Sequence, residues 1–250
     1  MFLKIKNLVM TSFPVLKTYY KKYRVWKKRQ EFKGLTNEEI FTNIYNTNKW
    51  DTNNTSEETY YSGTGSYGEP AQEYVAFLNN FILKNNIASV TDIGCGNFAI
   101  GKQIVEQNPL LRYNACDVVK NVIEANKRSY GSALVQFQQL DATNEAWPAA
   151  ELLTIRQVLQ HLSNADVKEI LSKSKAYKYV IITEHLLLEG TEKEFNKDKP
   201  SGPDIRLVDG SGLYIDKPPF NMNATRVLQC REDAYNKEAY VVSFLVENTL

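Results

Sequence analysis

Three residues that could bind a small molecule stand together in one short segment of the chain. Asp92 lies two positions before Gly94, and Gly96 follows one residue later. Glycines at such a turn permit positive φ angles and let a ligand approach the bare main chain. A carboxylate at the same turn attracts a ligand that carries an amino group or a sulfonium, and it repels phosphates. The types and spacing of these residues therefore predict a site for a cationic small molecule.

Two families of binding site compete for this turn. Gly94-x-Gly96-x-x-Ala99, with Asp117 further along the chain, satisfies the dinucleotide fingerprint, so an NAD-dependent oxidoreductase is one alternative. The position of Asp92 is normally apolar in a pyrophosphate site. Asp92-x-Gly94-x-Gly96 instead resembles the first motif of class I S-adenosylmethionine (SAM)-dependent methyltransferases. A tight turn that binds no ligand is the remaining alternative.

The elements that would position this turn alternate regularly from residue 88 onward. Apolar strands alternate with helical stretches, which predicts a parallel sheet with right-handed crossovers. The predicted strands are Ser89–Ile93, Arg112–Val118, Val135–Gln138, Glu151–Ile155 and Tyr179–Thr183. Two further strands, Thr225–Arg231 and Ala239–Glu247, are joined by a short polar segment and predict a terminal antiparallel hairpin. The expected fold is therefore α/β, a Rossmann-like class I methyltransferase fold with a mostly parallel sheet, the hairpin and an N-terminal helical extension.

The helical stretches of the chain also have local signals. Helical spacing of apolar residues or a capping residue predicts helices at Asn37–Tyr45, Ala71–Lys84, Asn121–Lys127 and Ala165–Lys173. Thr36 followed by Glu39 predicts a capping box at the first of these helices. Ser163 or Asn164 would cap the last one.

Composition restricts the class of protein further. The chain has 250 residues, 43% of them hydrophobic, which is enough for one sizeable core. Its three cysteines are odd in number and lie in apolar contexts, so we expect free thiols in a reducing compartment. With two histidines and no C-x-x-C motif, no metal site is expected.

Charge is distributed unevenly along the chain. Residues 1–33 carry ten Lys/Arg and one acid, a net charge of +9, which leaves −8 for the remainder. Basic and aromatic residues interleave there, which is typical of a helix on an anionic membrane surface; a basic helix that packs on the domain or frays in solvent is the alternative. Because the basic charge is confined to one end, no nucleic-acid partner is expected. We expect a segment 1–33, a methyltransferase domain 34–250, and a cytoplasmic protein that lies peripherally at the inner membrane face.

The resemblance to class I methyltransferases implies a cofactor, SAM, and a set of residues that bind it. The first motif would approach the methionine part of SAM, an acid after the second strand its ribose, and a residue pair after the third strand its adenine. A Gly/Ser loop before the second helix could cover the ligand or serve as a linker. The residues implied are Asp92, Gly94 and Gly96 for methionine, Asp117 for ribose, Asp141 and Ala142 for adenine, and Ser62, Gly63 and Arg156 beside them. Each acid could instead cap a helix.

Methyl transfer to an oxygen requires a group that takes the hydroxyl proton, and histidine suits this step near neutral pH. His185 is the expected base, because it would face the substrate at the end of the fifth strand. Glu184 would orient it or bind a hydroxyl. His161 is a second candidate, or a buried packing residue. A long insertion at residues 188–220 should shape the substrate side, and its candidate substrate residues are Asp204, Arg206 and Tyr214.

Several flanking motifs are similar to a narrower branch, methyltransferases associated with bacterial polysaccharide assembly. These motifs are Asn48-Lys49-Trp50, Ser62-Gly63-Thr64-Gly65-Ser66, Arg156-x-Val158-Leu159-x-His161-Leu162 and Gly202-x-x-x-Arg206. Members of that branch often have an Arg-Asp pair after the fourth strand, where this chain has Arg156-Gln157, so the acid expected at position 157 is missing. The resemblance implies O-methylation of a sugar hydroxyl on a glycan or lipid-linked saccharide. A small-molecule or protein acceptor and a non-catalytic scaffold are the alternatives.

Overall fold

The computed structural model describes residues 29–51, 60–235 and 237–249, together with residues 23, 26 and 27. The chain forms two compact units, Met1–Leu35 and Thr36–Leu250. In the first unit, residues 31–34 form a turn. Within the predicted basic segment, residues 1–22, 24, 25 and 28 lie outside the described residues.

The second unit is an α/β domain with one sheet. Its strands are β1 (Ser89–Ile93), β2 (Arg112–Asp117), β3 (Val135–Gln139), β4 (Leu152–Arg156), β5 (Tyr179–Leu187), β6 (Thr225–Arg231) and β7 (Ala239–Glu247). Its helices are α1 (Asn37–Asn46), α2 (Gly68–Lys84), α3 (Ala99–Gln107), α4 (Lys120–Tyr130) and α5 (Asn164–Ser174). Short 3-10 turns lie at Thr64–Ser66, Leu159–His161 and Arg206–Asp209.

The seven strands lie in the order β3-β2-β1-β4-β5-β7-β6. Strands β1 to β5 pair in parallel, and β7 pairs antiparallel with both β5 and β6. This arrangement confirms the predicted mostly parallel sheet with a terminal antiparallel hairpin. In such a sheet, ligands bind beyond the carboxyl ends of the parallel strands, where the chain crosses from one side to the other.

Local signals in the sequence produce the ends of the helices. At α1 the Thr36 hydroxyl accepts a hydrogen bond from the Glu39 N–H at 3.2 Å, and the Glu39 carboxylate accepts from the Thr36 N–H at 2.8 Å. The predicted capping box is therefore present. At α5 the Ser163 hydroxyl accepts from the N–H of Asp166, so Ser163 is the cap. Other predicted bounds differ by a few residues, and α2 begins at Gly68 instead of Ala71.

The prediction for the fifth strand was too short, because β5 continues past Thr183 to Leu187. Its parallel partner β4 ends where Arg156 pairs with Thr183, and the rest of β5 pairs only with β7. An extended segment of β5 therefore projects beyond the carboxyl edge of the parallel sheet. Glu184 and His185 lie in this projecting segment and not after the end of the strand.

The main core lies between the sheet and the helices α2, α3 and α4. Its buried side chains include Tyr74, Leu78, Val90, Phe98, Ile104, Tyr113, Ile123, Leu152 and Ile181. Val90 of β1 and Leu152 of β4 belong to this core, so its packing holds both strands in place. Among the helices of the described residues, none is both long and apolar enough to cross a membrane.

Candidate active site

A cavity of about 500 Å³ opens beyond the carboxyl ends of β1, β2 and β4. Its volume falls within the range of small-molecule sites. Each residue that the sequence predicted for the cofactor lines it, namely Ser62, Gly63, Asp92, Gly94, Gly96, Asp117, Asp141, Ala142 and Arg156. His161 and His185 line the same cavity. Glu184, Asp204, Arg206 and Tyr214 are not among the lining residues.

The glycine turn after β1 is bare backbone packed closely against neighbouring loops. Gly94 and Gly96 have φ angles of 79° and 54°, which favour glycine. A Cβ atom at Gly94 would overlap the Val158 side chain, and one at Gly96 would crowd the Ser62 hydroxyl. Ser62 accepts a hydrogen bond from the Asn97 N–H at 2.7 Å. The Gly/Ser loop is therefore bound to the glycine turn and is not a loose linker.

Asp92 lies beside this turn in a largely buried setting. One carboxylate oxygen accepts from the Thr154 hydroxyl at 2.8 Å, and the other accepts from the Tyr113 hydroxyl at 3.0 Å. Burial raises the pKa of Asp92 to about 6, because these two hydrogen bonds only partly offset the loss of water. An ionised carboxylate in this place would be stabilised by a cationic ligand group such as an ammonium.

Asp117 and Asp141 have local structural tasks in addition to lining the cavity. Asp117 accepts from the backbone N–H groups of Gly96 and Val119, each at 3.0 Å. Asp141 accepts from the Thr143 N–H and hydroxyl, which closes a tight turn. Each acid has at least one carboxylate oxygen that accepts a single hydrogen bond here, so both acids remain able to bind a hydroxyl or amino group of a ligand.

His185 lies on β5, two strands away from Asp92 in the sheet, and it contacts a residue that the sequence interpretation missed. Its Nε2 atom is 3.6 Å from a carboxylate oxygen of Glu232, slightly beyond hydrogen-bond distance. Both side chains line the cavity. Burial raises the pKa of Glu232, but His185 and Arg156 together outweigh burial and hold that pKa below its usual value. Glu232 is therefore an anion that could stabilise a protonated His185.

The sequence indicates that Glu232 lies near His185 only if the order of the strands is already known. The hairpin strands were predicted correctly, and Glu232 directly follows the first of them. The register His185–Val241 and Val241–Cys230 brings the end of β6 level with His185 across β7. Nothing in the local pattern indicates that β7 inserts between β5 and β6.

Glu184 does not face the cavity, in contrast to its predicted role beside His185. Alternate residues of a strand point to opposite faces, and the Glu184 carboxylate accepts from the backbone N–H groups of Leu159 and Gln160 at 2.8 and 3.2 Å. Burial raises the pKa of Glu184 to about 8 in spite of these bonds. Glu184 therefore positions the loop after β4 and is not placed to contact a substrate hydroxyl.

His161 is a wall of the cavity with a neutral ring. Burial and the nearby charge of Lys199 lower the pKa of His161 to about 3. Its ring packs against the Trp50 indole at a centroid distance of 5.3 Å. A neutral imidazole with so low a pKa is a poor proton acceptor, but it can exchange a hydrogen bond with a bound ligand.

Two of the three insertion residues predicted to bind substrate, Arg206 and Tyr214, have structural contacts. Arg206 is fully buried and donates to the backbone carbonyls of Leu159, Gln160 and Leu162, so it holds the turn that carries His161. Tyr214 is buried, and its ring packs edge-on against the ring of Phe195. Asp204 is only partly exposed and lies outside the cavity lining.

The residues that line the cavity fit SAM. Close packing at Gly94 and Gly96 leaves no room for side chains, and acids lie at the ends of β1 and β2. Arg156 has buried N–H donors that find no partner among the described residues. The acids suit the ammonium and the ribose hydroxyls, and the arginine suits a carboxylate. In the described part of the chain, no group of three or more His, Cys, Asp or Glu side chains could hold a metal ion.

Comparisons with solved structures agree with this fold. The chain is similar to the N-methyltransferase NodS from Bradyrhizobium japonicum in complex with S-adenosyl-L-homocysteine, with 12% identity, a TM-score of 0.54, and coverage of 81% of this chain and 98% of NodS. It is also similar to an O-methyltransferase family protein from Burkholderia thailandensis, with 10% identity, a TM-score of 0.52, and coverage of 92% and 71%. The predicted Rossmann-like class I methyltransferase fold is thereby confirmed.

Sequence comparison identifies the family. None of the curated proteins compared with the chain matches it significantly. A family model described as an O-methyltransferase domain matches residues 26–201, which is more than half of the chain. The protein therefore belongs to the O-methyltransferase domain family.

Proposed function

We propose that this protein transfers the methyl group of SAM to a hydroxyl group of a saccharide acceptor, with His185 as the proton acceptor. The observation that carries the proposal is the pairing of His185 with Glu232 in the cavity that also contains the Asp92-x-Gly94-x-Gly96 turn. The cavity thus offers acids and bare backbone for a cationic cofactor. It also offers a base with an anionic partner.

The residues of the chain would divide the work between binding and proton transfer. Bound SAM supplies a methyl carbon that its sulfonium already activates. Asp92 and the glycine turn would hold the methionine part, and Asp117 and Asp141 would hold the ribose and adenine. As the acceptor oxygen forms its bond to the methyl carbon, the carbon–sulfur bond breaks and the hydroxyl proton passes to His185. The anionic Glu232 would stabilise the imidazolium that results.

The lining of the cavity supports an acceptor that is a polar ring compound with several hydroxyl groups. Trp50 and Tyr235 bring aromatic faces to the cavity, and Gln160, His161 and Asp233 bring hydrogen-bonding groups. Aromatic rings stack on the apolar faces of ligands, while the surrounding polar groups fix their orientation. The similarity of the flanking motifs to methyltransferases of polysaccharide assembly favours the same class of acceptor.

The charge of the chain supports an acceptor that is held at a membrane. Residues 1–33 carry +9, and the rest of the chain carries −8. A basic segment with interleaved aromatic residues is attracted to anionic lipid, and it could keep the domain beside a lipid-linked saccharide. We therefore propose that the protein associates peripherally with the inner face of the membrane.

Calorimetric titration with SAM, S-adenosylhomocysteine (SAH) and NAD in parallel tests the cofactor. We expect SAM and SAH to bind and NAD not to bind. Incubation with methyl-labelled SAM and a panel of sugars, amines and peptides then tests the acceptor, and we expect label in an alkali-stable ether on a sugar. Binding of NAD without SAM would overturn the proposal, and label found only on amines or peptides would replace the saccharide with another acceptor.

A further inference from the structure

A lysine on helix α5 holds the turn that follows β3. The Lys173 ammonium donates to the backbone carbonyls of Ala142, Thr143 and Glu145 at 2.9, 2.8 and 3.0 Å. An ammonium has three N–H donors, so these three bonds can use every donor that it has. Ala142 and Thr143 line the cavity, whereas Lys173 does not. The lysine therefore contacts a wall of the cavity from outside the cavity.

Trp147 reinforces this attachment. Its indole N–H donates to the Ala142 carbonyl at 3.1 Å, so that carbonyl accepts from both Trp147 and Lys173. The Lys173 ammonium also lies 5.7 Å from the centre of the Trp147 ring, a cation–π contact. A lysine in the last turn of a helix ordinarily interacts with the carbonyls of its own helix. Here its hydrogen bonds instead reach residues 28 to 31 positions earlier in the sequence, and these charge-assisted bonds attach the turn to α5.

The same turn begins with Asp141, the acid that the proposed function assigns to adenine. Its Oδ1 atom accepts from the Thr143 N–H and hydroxyl at 2.9 and 2.7 Å, and its Oδ2 atom accepts from the Asn144 side-chain amide at 3.1 Å. A carboxylate oxygen can accept two hydrogen bonds, and Oδ2 accepts one from the described residues, so a lone pair is available to a ligand. Thr143 is bonded both to this carboxylate and to Lys173. A displacement of the turn would therefore displace the carboxylate with it.

We propose that Lys173 is a positioning residue that gives the cofactor site its selectivity for adenine. The inference rests on the proposed function, in which Asp141 accepts a hydrogen bond from the amino group of adenine. Hypoxanthine has a carbonyl oxygen in place of that amino group, and a carboxylate fixed beside this oxygen is repelled by it and receives no hydrogen bond. A carboxylate on a loosely held turn would instead shift toward the ring N–H of hypoxanthine and lose the discrimination. Lys173 acts on selectivity through Asp141 and does not contact the ligand.

The test measures the affinities of the protein for SAH and for S-inosylhomocysteine, which has hypoxanthine in place of adenine, by calorimetry. Wild-type protein should bind SAH at least about tenfold more tightly, because a hydrogen bond to a charged group is lost with the amino group. Lys173→Met should remove most of this ratio. Lys173→Arg should keep part of it, because a guanidinium can donate to the same carbonyls. Both titrations use the same folded protein, so a general loss of stability does not change the ratio.

Two controls separate positioning from a purely structural role. Lys168→Met removes an exposed lysine from the same helix, and it should keep the full ratio. 5′-Methylthioadenosine contains adenine but lacks the amino-acid group of SAH. The ratio of SAH affinity to 5′-methylthioadenosine affinity should therefore be the same in wild-type and Lys173→Met protein.

Two outcomes would overturn the inference alone. If Lys173→Met protein keeps the wild-type preference for SAH over S-inosylhomocysteine, the lysine has only a structural role. If the ratio for 5′-methylthioadenosine changes by as much, the variant disturbs the cavity as a whole. Wild-type protein that binds SAH and S-inosylhomocysteine equally would instead overturn the assignment of Asp141 to adenine, and failure to bind SAH at all would overturn the proposed function.

Discussion

The Nε2 atom of His185 lies 3.6 Å from a carboxylate oxygen of Glu232, although β7 lies between β5, which contains His185, and β6, which ends directly before Glu232. The contact exists because β5 projects beyond β4 and β7 holds the projecting segment level with the end of β6. If His185 accepts the proton and Glu232 stabilises its protonated form, as proposed above, then substitution of either residue tests the pair.

Replacing either member of this pair should lower turnover with little change in cofactor affinity. We expect His185→Ala to reduce methyl transfer by about 10² or more, since the proton acceptor is lost. Glu232→Gln should have a smaller effect because the imidazole remains. His161→Ala is the comparison, and its low pKa predicts a smaller loss than at His185. Labelled-methyl transfer and SAH titration measure the two quantities, and full activity of His185→Ala would exclude His185 as the base.

The affinity for SAH should depend on the protonation of Asp92. Its pKa is about 6, so the carboxylate is mostly ionised at pH 7.5 and mostly protonated at pH 5. If the anion binds the ligand ammonium, SAH affinity should fall as the pH is lowered through about 6, approaching tenfold per pH unit below it. Asp92→Asn should bind weakly and without this pH dependence. Titration at pH 5, 6 and 7.5 provides the measurement, and an SAH affinity that stays constant over this range would contradict the role of Asp92.

Glu184 should make the folded state less stable as the pH rises. Its pKa is about 8 in the folded state against an ordinary value of 4.5, so between these values the folded protein keeps a proton that the unfolded chain has released. The contribution of Glu184 to the free energy of unfolding therefore falls as the pH increases from about 4.5 to about 8, and it is constant outside that window. Glu184→Gln should flatten this slope in urea unfolding at pH 5, 6.5 and 8.

The control for this experiment is Glu169→Gln, which changes an exposed glutamate on α5. It should retain the wild-type slope. If Glu184→Gln follows the same slope as wild-type protein, the carboxyl group of Glu184 does not titrate in this window, and its assignment as a protonated positioning residue is wrong.

The basic segment should bind anionic membranes by charge. Each Lys or Arg near an anionic surface contributes about 1 kcal/mol, and salt screens the attraction. Full-length protein should sediment with anionic liposomes at low salt and be released at high salt. A version that starts at Gly34 should stay in the supernatant and still bind SAH. Equal behaviour of the two versions would remove the support for a membrane-bound acceptor.

The sequence alone was sufficient for the type of sheet and for the prediction that Asp92, Gly94 and Gly96 lie at one cavity. Alternation of strands and helices, the terminal hairpin and the Asp92-x-Gly94-x-Gly96 spacing are short-range patterns, and they depend on local sterics and burial. Because the carboxyl ends of parallel strands share one edge, acids at strand ends such as Asp117 can be expected to meet there.

Only the tertiary structure decided which residues surround His185. The order of β5, β7 and β6 is a long-range choice that no local pattern specifies, and it brings Glu232 to His185. The same long-range packing turns Glu184 toward the loop after β4 and buries Arg206 among carbonyl groups. A polar residue in a strand or a loop can equally bind a ligand or satisfy the backbone. The neighbours that supply its hydrogen bonds decide between the two, and they come from distant parts of the chain.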